Sequence, residues 1–456
     1  MALSKEETNR YREEFYSSEK TRFAQNIVSQ INPLKACLNP SAINASNHVF
    51  NHKVDEVKPM TAQGETGRCW LFAALNAMRI PFMKSMELDE MEFSQAHLYF
   101  WDKIEKSNYF LTTMAKVFKD EAPDSRLASY LLQEPVKDGG QWDMFCNIIE
   151  KYGVMPKEAF PDTYSCKSDR NNEMNKILNF KLREFAQELC EAVSRKESKE
   201  DVQKRIKGYM STVFRIVGIC LGVPPETFTW QYYDKSKKAH EIGPISPLEF
   251  YTTYVKPHFN VYDKICLVND DRNPMGKTYT VKHLGNVVDG KETRYYNQNV
   301  DVLVELASKS IQAGEPVWFG CDADKFWHDN GFVDLKLYDF NLVFDTQIHL
   351  GMKKSDRLTY GGSFMNHAML LTGVHIEGEK PVKWRIENSW GEEKGAKGYW
   401  VMSNEWFKEF VFEVCVDRKF CSNEILDSLA SLEPLPPWDP MGALAKSCDC
   451  GKKRCE

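Results

Sequence analysis

Cys69 heads a small, apolar run, Trp70-Leu71-Phe72-Ala73-Ala74-Leu75-Asn76-Ala77-Met78, with the composition of a buried helix. Gly64 and Gly67 make the lead-in, Gln63-Gly64-Glu65-Thr66-Gly67-Arg68, a tight loop. Cys69 then sits in the first helical turn, where unpaired N–H groups and the helix dipole favour negative charge and lower a thiol pKa. Arg68 beside it would add a cation that favours the thiolate. Pro81 is expected to limit the helix. The Gln63 amide can share an oxyanion site with the Cys69 backbone N–H. Taken alone, Cys69 reads more readily as a buried core cysteine, so the chemistry depends on what the rest of the chain supplies.

A thiolate nucleophile needs a base, and the base needs an orienter. Asn366-His367-Ala368-Met369-Leu370-Leu371-Thr372-Gly373-Val374 reads as a mostly apolar strand with His367 at its start. Lys383-Trp384-Arg385-Ile386-Glu387-Asn388-Ser389-Trp390-Gly391 reads as a second strand ending in a polar turn. Paired antiparallel, the two bring Asn388 to one ring nitrogen of His367 and leave the other facing Cys69. Such a set breaks peptide or amide bonds through an acyl-enzyme, or passes the acyl group to an amine.

Other elements must hold these residues. Ser94 is an N-cap for a helix over Gln95–Lys106, within which His97 reads as structural. Asp138-Gly139-Gly140 precedes a helix from Gln141-Trp142 to Tyr152, stopped by Gly153. Gly139 and Gly140 make either a plain turn or a place where another backbone approaches closely. Met174–Arg195 and Ser198–Leu221 show helical periodicity, with a solvated charge run at their junction. Ser246-Pro247 starts a further helix over Leu248–Val255. Glu315–Cys321, Gly398–Met402 and Val411–Val416 are apolar, β-prone runs, as expected of a small antiparallel barrel-like sheet. The nucleophile thus comes from a helical half and the base from a sheet half, with a cleft between them.

The ordered motifs Gln63-x5-Cys69-Trp70, Asn366-His367-Ala368 and Asn388-Ser389-Trp390-Gly391 resemble the papain-like cysteine peptidases. Phe93-Ser94-Gln95, Asp138-Gly139-Gly140-Gln141-Trp142-Asp143-Met144, Pro224-Pro225-Glu226-Thr227-Phe228-Thr229-Trp230 and Trp438-Asp439-Pro440-Met441-Gly442-Ala443-Leu444-Ala445 resemble the bleomycin hydrolase branch of that family. The resemblance spans nearly the whole chain. Plain members place the His about 130–150 residues after the Cys, so the wider separation here implies a large insertion. The expected fold is α+β and papain-like. An N-terminal segment, 1–60, packs on the catalytic domain. The helical half, 61–160, carries the nucleophile. A mostly helical insertion, 161–310, makes oligomer contacts. The sheet half, 311–430, carries His and Asn, and 431–456 is a C-terminal arm and tail.

The resemblance implies a cysteine aminopeptidase of broad specificity that also acts on bleomycin-type amides. Cys69, His367 and Asn388 are its catalytic set, Gln63 its oxyanion residue, and Gly139, Gly140 and Ala445 its substrate contacts. It implies a homohexameric ring with the active sites facing an inner channel, and no cofactor or metal. In the family the chain ends at or just past the Ala of Met441-Gly442-Ala443-Leu444-Ala445. Here Lys446–Glu456 follow without an apolar run, and they are expected to be disordered. Full activity is expected to require trimming to Ala445 or Lys446.

Composition fits this reading. The chain has 456 residues, 42% hydrophobic and 27% charged, with net charge −6, as in ordinary globular proteins. That balance does not indicate nucleic acid as the main partner. A ring-shaped protein binding nucleic acid or peptide remains the rival from another class. No run of 18 apolar residues suggests a membrane span. Met1–Arg22 is polar and lacks the apolar stretch of a signal peptide. Thirteen scattered cysteines, with Thr66 where secreted family members carry a cysteine, point to reduced thiols in the cytoplasm. His48 and His52 have the spacing of two ligands on one helix face, but no partner motif accompanies them.

Overall fold

The computed structural model describes residues 2–167, 173–428 and 431–445. The segment 446–456, on which the disorder and trimming expectations fall, lies outside them. The helices that matter to function are α1 (Cys69–Ser85), α2 (Gln95–Val117), α3 (Trp142–Tyr152), α4 (Glu173–Ser194), α5 (Lys199–Leu221) and α6 (Val300–Gln312). The strands are β1 (Phe228–Tyr233), β2 (Ala239–Ile245), β3 (Lys264–Val268), β4 (Thr278–Val281), β5 (Tyr295–Asn297), β6 (Val317–Cys321), β7 (His367–Glu377), β8 (Lys380–Glu387), β9 (Tyr399–Ser403), β10 (Val411–Asp417) and β11 (Glu433–Leu435).

Helix α1 begins at Cys69 and is buried along nearly its whole length. It does not stop at Pro81 but continues to Ser85. A mid-helix proline costs about 3 kcal/mol. Burying Phe82 and Met83 beyond it gains about 1.5–3 kcal/mol each, which is enough to carry the helix past the break. Helix α2 likewise outruns its expected end at Lys106, because Phe110, Leu111 and Met114 extend its buried face. Helices α4 and α5 lie along α2, burying Leu178, Leu182 and Leu189 from one and Val213, Val217 and Leu221 from the other. Phe180 and Ile219 are left exposed.

The main sheet has twelve strands in the order β11-β4-β5-β3-β10-β6-β7-β8-β9, followed by the short strands Phe332–Val333 and Trp327–His328, with His52–Lys53 on β7. Its centre, β3-β10-β6-β7-β8-β9, is antiparallel, while β3–β5 and β4–β11 pair in parallel. The sheet is therefore wider than a small barrel. The stretch 161–310 is helical in its first part, but from residue 228 it supplies the β1–β2 hairpin and then β3, β4 and β5. All five residues of β3 are buried. A short, fully buried apolar run carries no period that separates strand from helix.

At the N-terminus, helices Lys5–Ser17 and Glu19–Val28 bury no residue. Cys37, Phe50, Val54 and Val57 are the points at which the segment enters the interior. No helix among the described residues is long and apolar enough to cross a membrane.

Candidate active site

Cys69 is the first helical residue of α1, and Arg68 is its N-cap. At that position the backbone N–H has no acceptor within the helix. The loop before it is locked by its own side chains. Gln63 Nε2 donates to the Thr66 carbonyl at 2.6 Å, and Thr66 Oγ1 donates to the Gln63 carbonyl at 2.8 Å. Gly64, at φ +64°, lies so close to Lys167 that an added Cβ would stand 2.1 Å from that residue's carbonyl oxygen. The Arg68 guanidinium is fully buried; it donates to Thr66 Oγ1 and pairs with Asp162 at 2.8 Å. Its charge is thus matched by Asp162. Arg68 braces the loop, a role its place before Cys69 in the sequence does not show. Burial would raise the Asp162 carboxyl, but Arg68 outweighs it and holds the group below the usual carboxylate range.

His367 opens β7, and Asn388 follows β8 directly. The antiparallel register, with Leu370 opposite Glu387, brings the two side chains together: His367 Nε2 lies 3.0 Å from Asn388 Oδ1. An amide oxygen only accepts, so Nε2 is the protonated nitrogen and Nδ1 faces away from Asn388. The Trp390 ring lies 5.1 Å from the imidazole, centroid to centroid, and joins Trp327 and Trp400 in an aromatic cluster. Upstream, Asn366 is held by Asp322 at 2.8 Å and accepts from the Ala323 N–H at 2.9 Å. Here His367 gets its position from strand register, with Cys321 of β6 directly opposite.

Several contacts beside the site join the halves, the buried Arg79–Glu387 ion pair at 3.0 Å among them. The Gln63 N–H donates to the Ser389 carbonyl at 2.8 Å, and Ser389 Oγ donates to Gln63 Oε1 at 2.6 Å. Trp318 Nε1, on β6, donates to the Trp70 carbonyl at 3.2 Å. Helix α1 also packs on β7. Gln63, Cys69, His367 and Asn388 are all almost fully buried.

The glycine pair lies against Trp70, the residue after Cys69. A Cβ on Gly140 would fall 2.5 Å from the Trp70 ring, and one on Gly139 would fall 2.0 Å from the Leu444 carbonyl oxygen. Leu444 and Ala445 are buried there. So the structure brings Ala445 to the expected glycine edge. Asp138 was legible as part of a motif, but its job was not. Its carboxylate accepts from the Gly67 N–H, Tyr99 Oη and Lys103 Nζ at 3.2, 2.8 and 2.6 Å. Burial alone would raise this carboxyl; Lys103, Asn175 and Tyr99 more than offset that and hold it well below the carboxylate range. Lys106 donates to the Gly139 carbonyl at 2.7 Å, pairs with Asp102, and sits over the Trp70 ring at 5.2 Å. Asp102, Lys103 and Lys106 on one apolar helix were the available signal, because lysines are rarely buried without partners.

The remaining histidine expectations resolve simply. His97 Nε2 bonds the Tyr152 carbonyl at 3.1 Å, and burial lowers its pKa to about 4. His48 packs on Phe332, while His52 lies in a short strand. The two share no helix face, since the segment between them is extended and not helical.

With this geometry described, comparison places the chain. Residues 2–442 match the peptidase C1-like family. Bleomycin hydrolase of Gallus gallus is 47% identical over 433 residues, covering 93% of this chain and 94% of that protein. Aminopeptidase C of Lactococcus lactis subsp. cremoris is 39% identical over 450 residues, 98% of this chain and all of that one. The crystal structure of PepW from Lactobacillus rhamnosis HN001 superposes with a TM-score of 0.92 at 37% identity, over 97% of this chain and 99% of that one. The chain belongs to the peptidase C1-like family and has its papain-like α+β fold. Within that family it is a cysteine-type aminopeptidase.

Proposed function

We propose that Cys69 is the nucleophile, His367 its base and later its acid, and Asn388 the orienter of the imidazole. The observation that carries this is the His367–Asn388 bond, which leaves Nδ1 as the basic nitrogen on the side of the ring away from Asn388. The thiolate attacks the scissile carbonyl carbon, and the C–N bond breaks as the imidazolium protonates the leaving amine. Water, deprotonated by His367, then opens the thioester and frees the acid. Gln63 gives one amide hydrogen to Thr66. Its second, with the Cys69 N–H, is the pair we assign to the oxyanion.

Gly139 and Gly140 offer a backbone edge to an extended substrate, and Leu444–Ala445 occupies one end of it. A groove closed in this way admits only the first residues of a peptide, which supports cleavage from the amino terminus. The substrates we assign are peptides of broad sequence and related amides, including those of the bleomycin type that the relatives' name records. Cytoplasmic residence is supported by ten free thiols among the described residues. A homohexamer is what the family resemblance implies, and Phe15, Tyr16 and Phe23, exposed on helices that bury nothing, offer apolar surface for a subunit contact. The residues after Ala445 are proposed to be trimmed for full activity, perceptible as a mass loss in active protein and its absence in Cys69→Ala.

The deciding experiment is alkylation and mutation of one residue. Cys69→Ala is expected to abolish hydrolysis of an aminoacyl-amide reporter at unchanged Tm, and limiting iodoacetamide is expected to label Cys69 first. First labelling of another cysteine, with activity lost in step, would overturn the assignment.

A further inference from the structure

Away from the cleft, the register of two strands gathers a second set of reactive side chains. Cys266 on β3 stands directly opposite Cys415 on β10, and their sulfurs are 2.8 Å apart. Glu413 is two residues before Cys415, so strand alternation puts it on the same face of the sheet. One ligand atom from each of the three lies within 4.8 Å of the others, and all three side chains are buried. Among the described residues, the Cys266 thiol is the one polar group that approaches the Glu413 carboxylate as a hydrogen-bond donor. Buried carboxyl groups are ordinarily paired or hydrogen-bonded, and this one faces two thiols.

We propose that Cys266, Cys415 and Glu413 form a binding site for a borderline-soft divalent cation of the zinc or cadmium type, holding β3 to β10. Two sulfurs and one oxygen suit such ions and disfavour magnesium and calcium, which take oxygen donors. Binding releases the two thiol protons and any carboxyl proton, and leaves a fourth position for water. Bonds of about 2.3 Å at tetrahedral angles hold two sulfurs about 3.8 Å apart. The thiols must therefore part by about 1 Å, a side-chain rotation within their strands. A disulfide between the two cysteines is the competing product, formed with hydrogen peroxide as oxidant and two waters released, but it would leave Glu413 without a partner. The site lies in the sheet and takes no part in the proposed hydrolysis; its role is to fix β10, which pairs with β6 beside the strand bearing His367.

The test uses the full chain, reduced and dialysed against cadmium chloride, with metal counted by mass spectrometry and thiolate binding followed by the ultraviolet charge-transfer band. Wild type is expected to hold one equivalent more than Cys415→Val, and Glu413→Gln to bind that equivalent about 10-fold or more weakly. Zinc is expected to raise the Tm of wild type but not of Cys415→Val. Where Cys415→Val does not fold, zinc-edge absorption on wild type decides: two sulfurs at about 2.3 Å with oxygen at about 2.0–2.2 Å support the site. A shell of three or more sulfurs, as Cys448, Cys450 and Cys455 would give, overturns it. Equal metal counts in wild type and both variants overturn it, as does a Cys266–Cys415 disulfide whose reduction restores no metal binding.

Discussion

The two halves of the site hold their residues by different means. On the helical side, the segments around Cys69 and Gly139 are loops, and loops have no ladder to fix them. Their order comes from buried charges, Arg68 with Asp162 and Asp138 with Lys103, each bonded onward to loop atoms. On the sheet side, His367 and Asn388 are set by backbone pairing between β6, β7 and β8. Removing a side chain there leaves the ladder in place. A sheet can thus present reactive groups at little risk to itself, whereas a loop that does so depends on each brace.

The largest effect expected from this contrast is at Asp138. Asp138→Ala strands Lys103 in a buried site, and breaking such a pair costs about 3–5 kcal/mol. Denaturant unfolding should show that loss together with a fall in kcat/KM; an active, equally stable variant would refute the bracing role. Next comes acid sensitivity. His97 has a folded pKa of about 4 against an ordinary 6.5. Between those values the unfolded chain binds a proton that the folded chain does not, so stability falls as pH drops from 6.5 to 4. At about 1.4 kcal/mol per pKa unit the full loss is about 3 kcal/mol. His97→Gln should flatten that slope, and hydrogen exchange at pH 4.5 should open α2 before β7.

Smaller is Gly139→Ala. Its Cβ cannot coexist with the Leu444 carbonyl, so the C-terminal arm must shift, at about 1–3 kcal/mol. Cleavage of longer peptides should rise relative to dipeptide amides in product analysis. The smallest stability change is expected at Asn388→Ala, within about 1.5 kcal/mol. Turnover should fall, yet less than in His367→Ala. Equal loss of turnover at both positions would show that Asn388 does more than orient the ring.

The sequence made some of this visible and hid the rest for physical reasons. His367 and Asn388 were readable as neighbours because each ends or begins a strand, and antiparallel pairing leaves few ways to place them. Cys69 was readable as a helix start from Gly64, Gly67 and the apolar run after it. Asp138 was not readable as a brace, because Gly67, Tyr99, Lys103 and Asn175 meet only in three dimensions. The same holds for Arg68, whose partner Asp162 is distant in sequence. Strand β3 is not legible because a run buried on both faces has no alternation. The continuation of α1 past Pro81 is not legible because packing outweighs local propensity.

The wide spacing of the site along the chain has a consequence for biosynthesis. Cys69 and Asn388 are separated by about 320 residues, and ribosomes add roughly 5–20 residues per second, so about 15–60 s pass between the two. Strand β6, which ties Trp70 to the sheet, and β10 beside it are likewise made late. A nascent chain therefore carries Cys69 long before it has His367, Asn388 or a partner for Gln63 at Ser389. A ribosome-bound fragment ending before residue 388 should hydrolyse nothing, and the cell meets this hydrolase only once it is nearly complete.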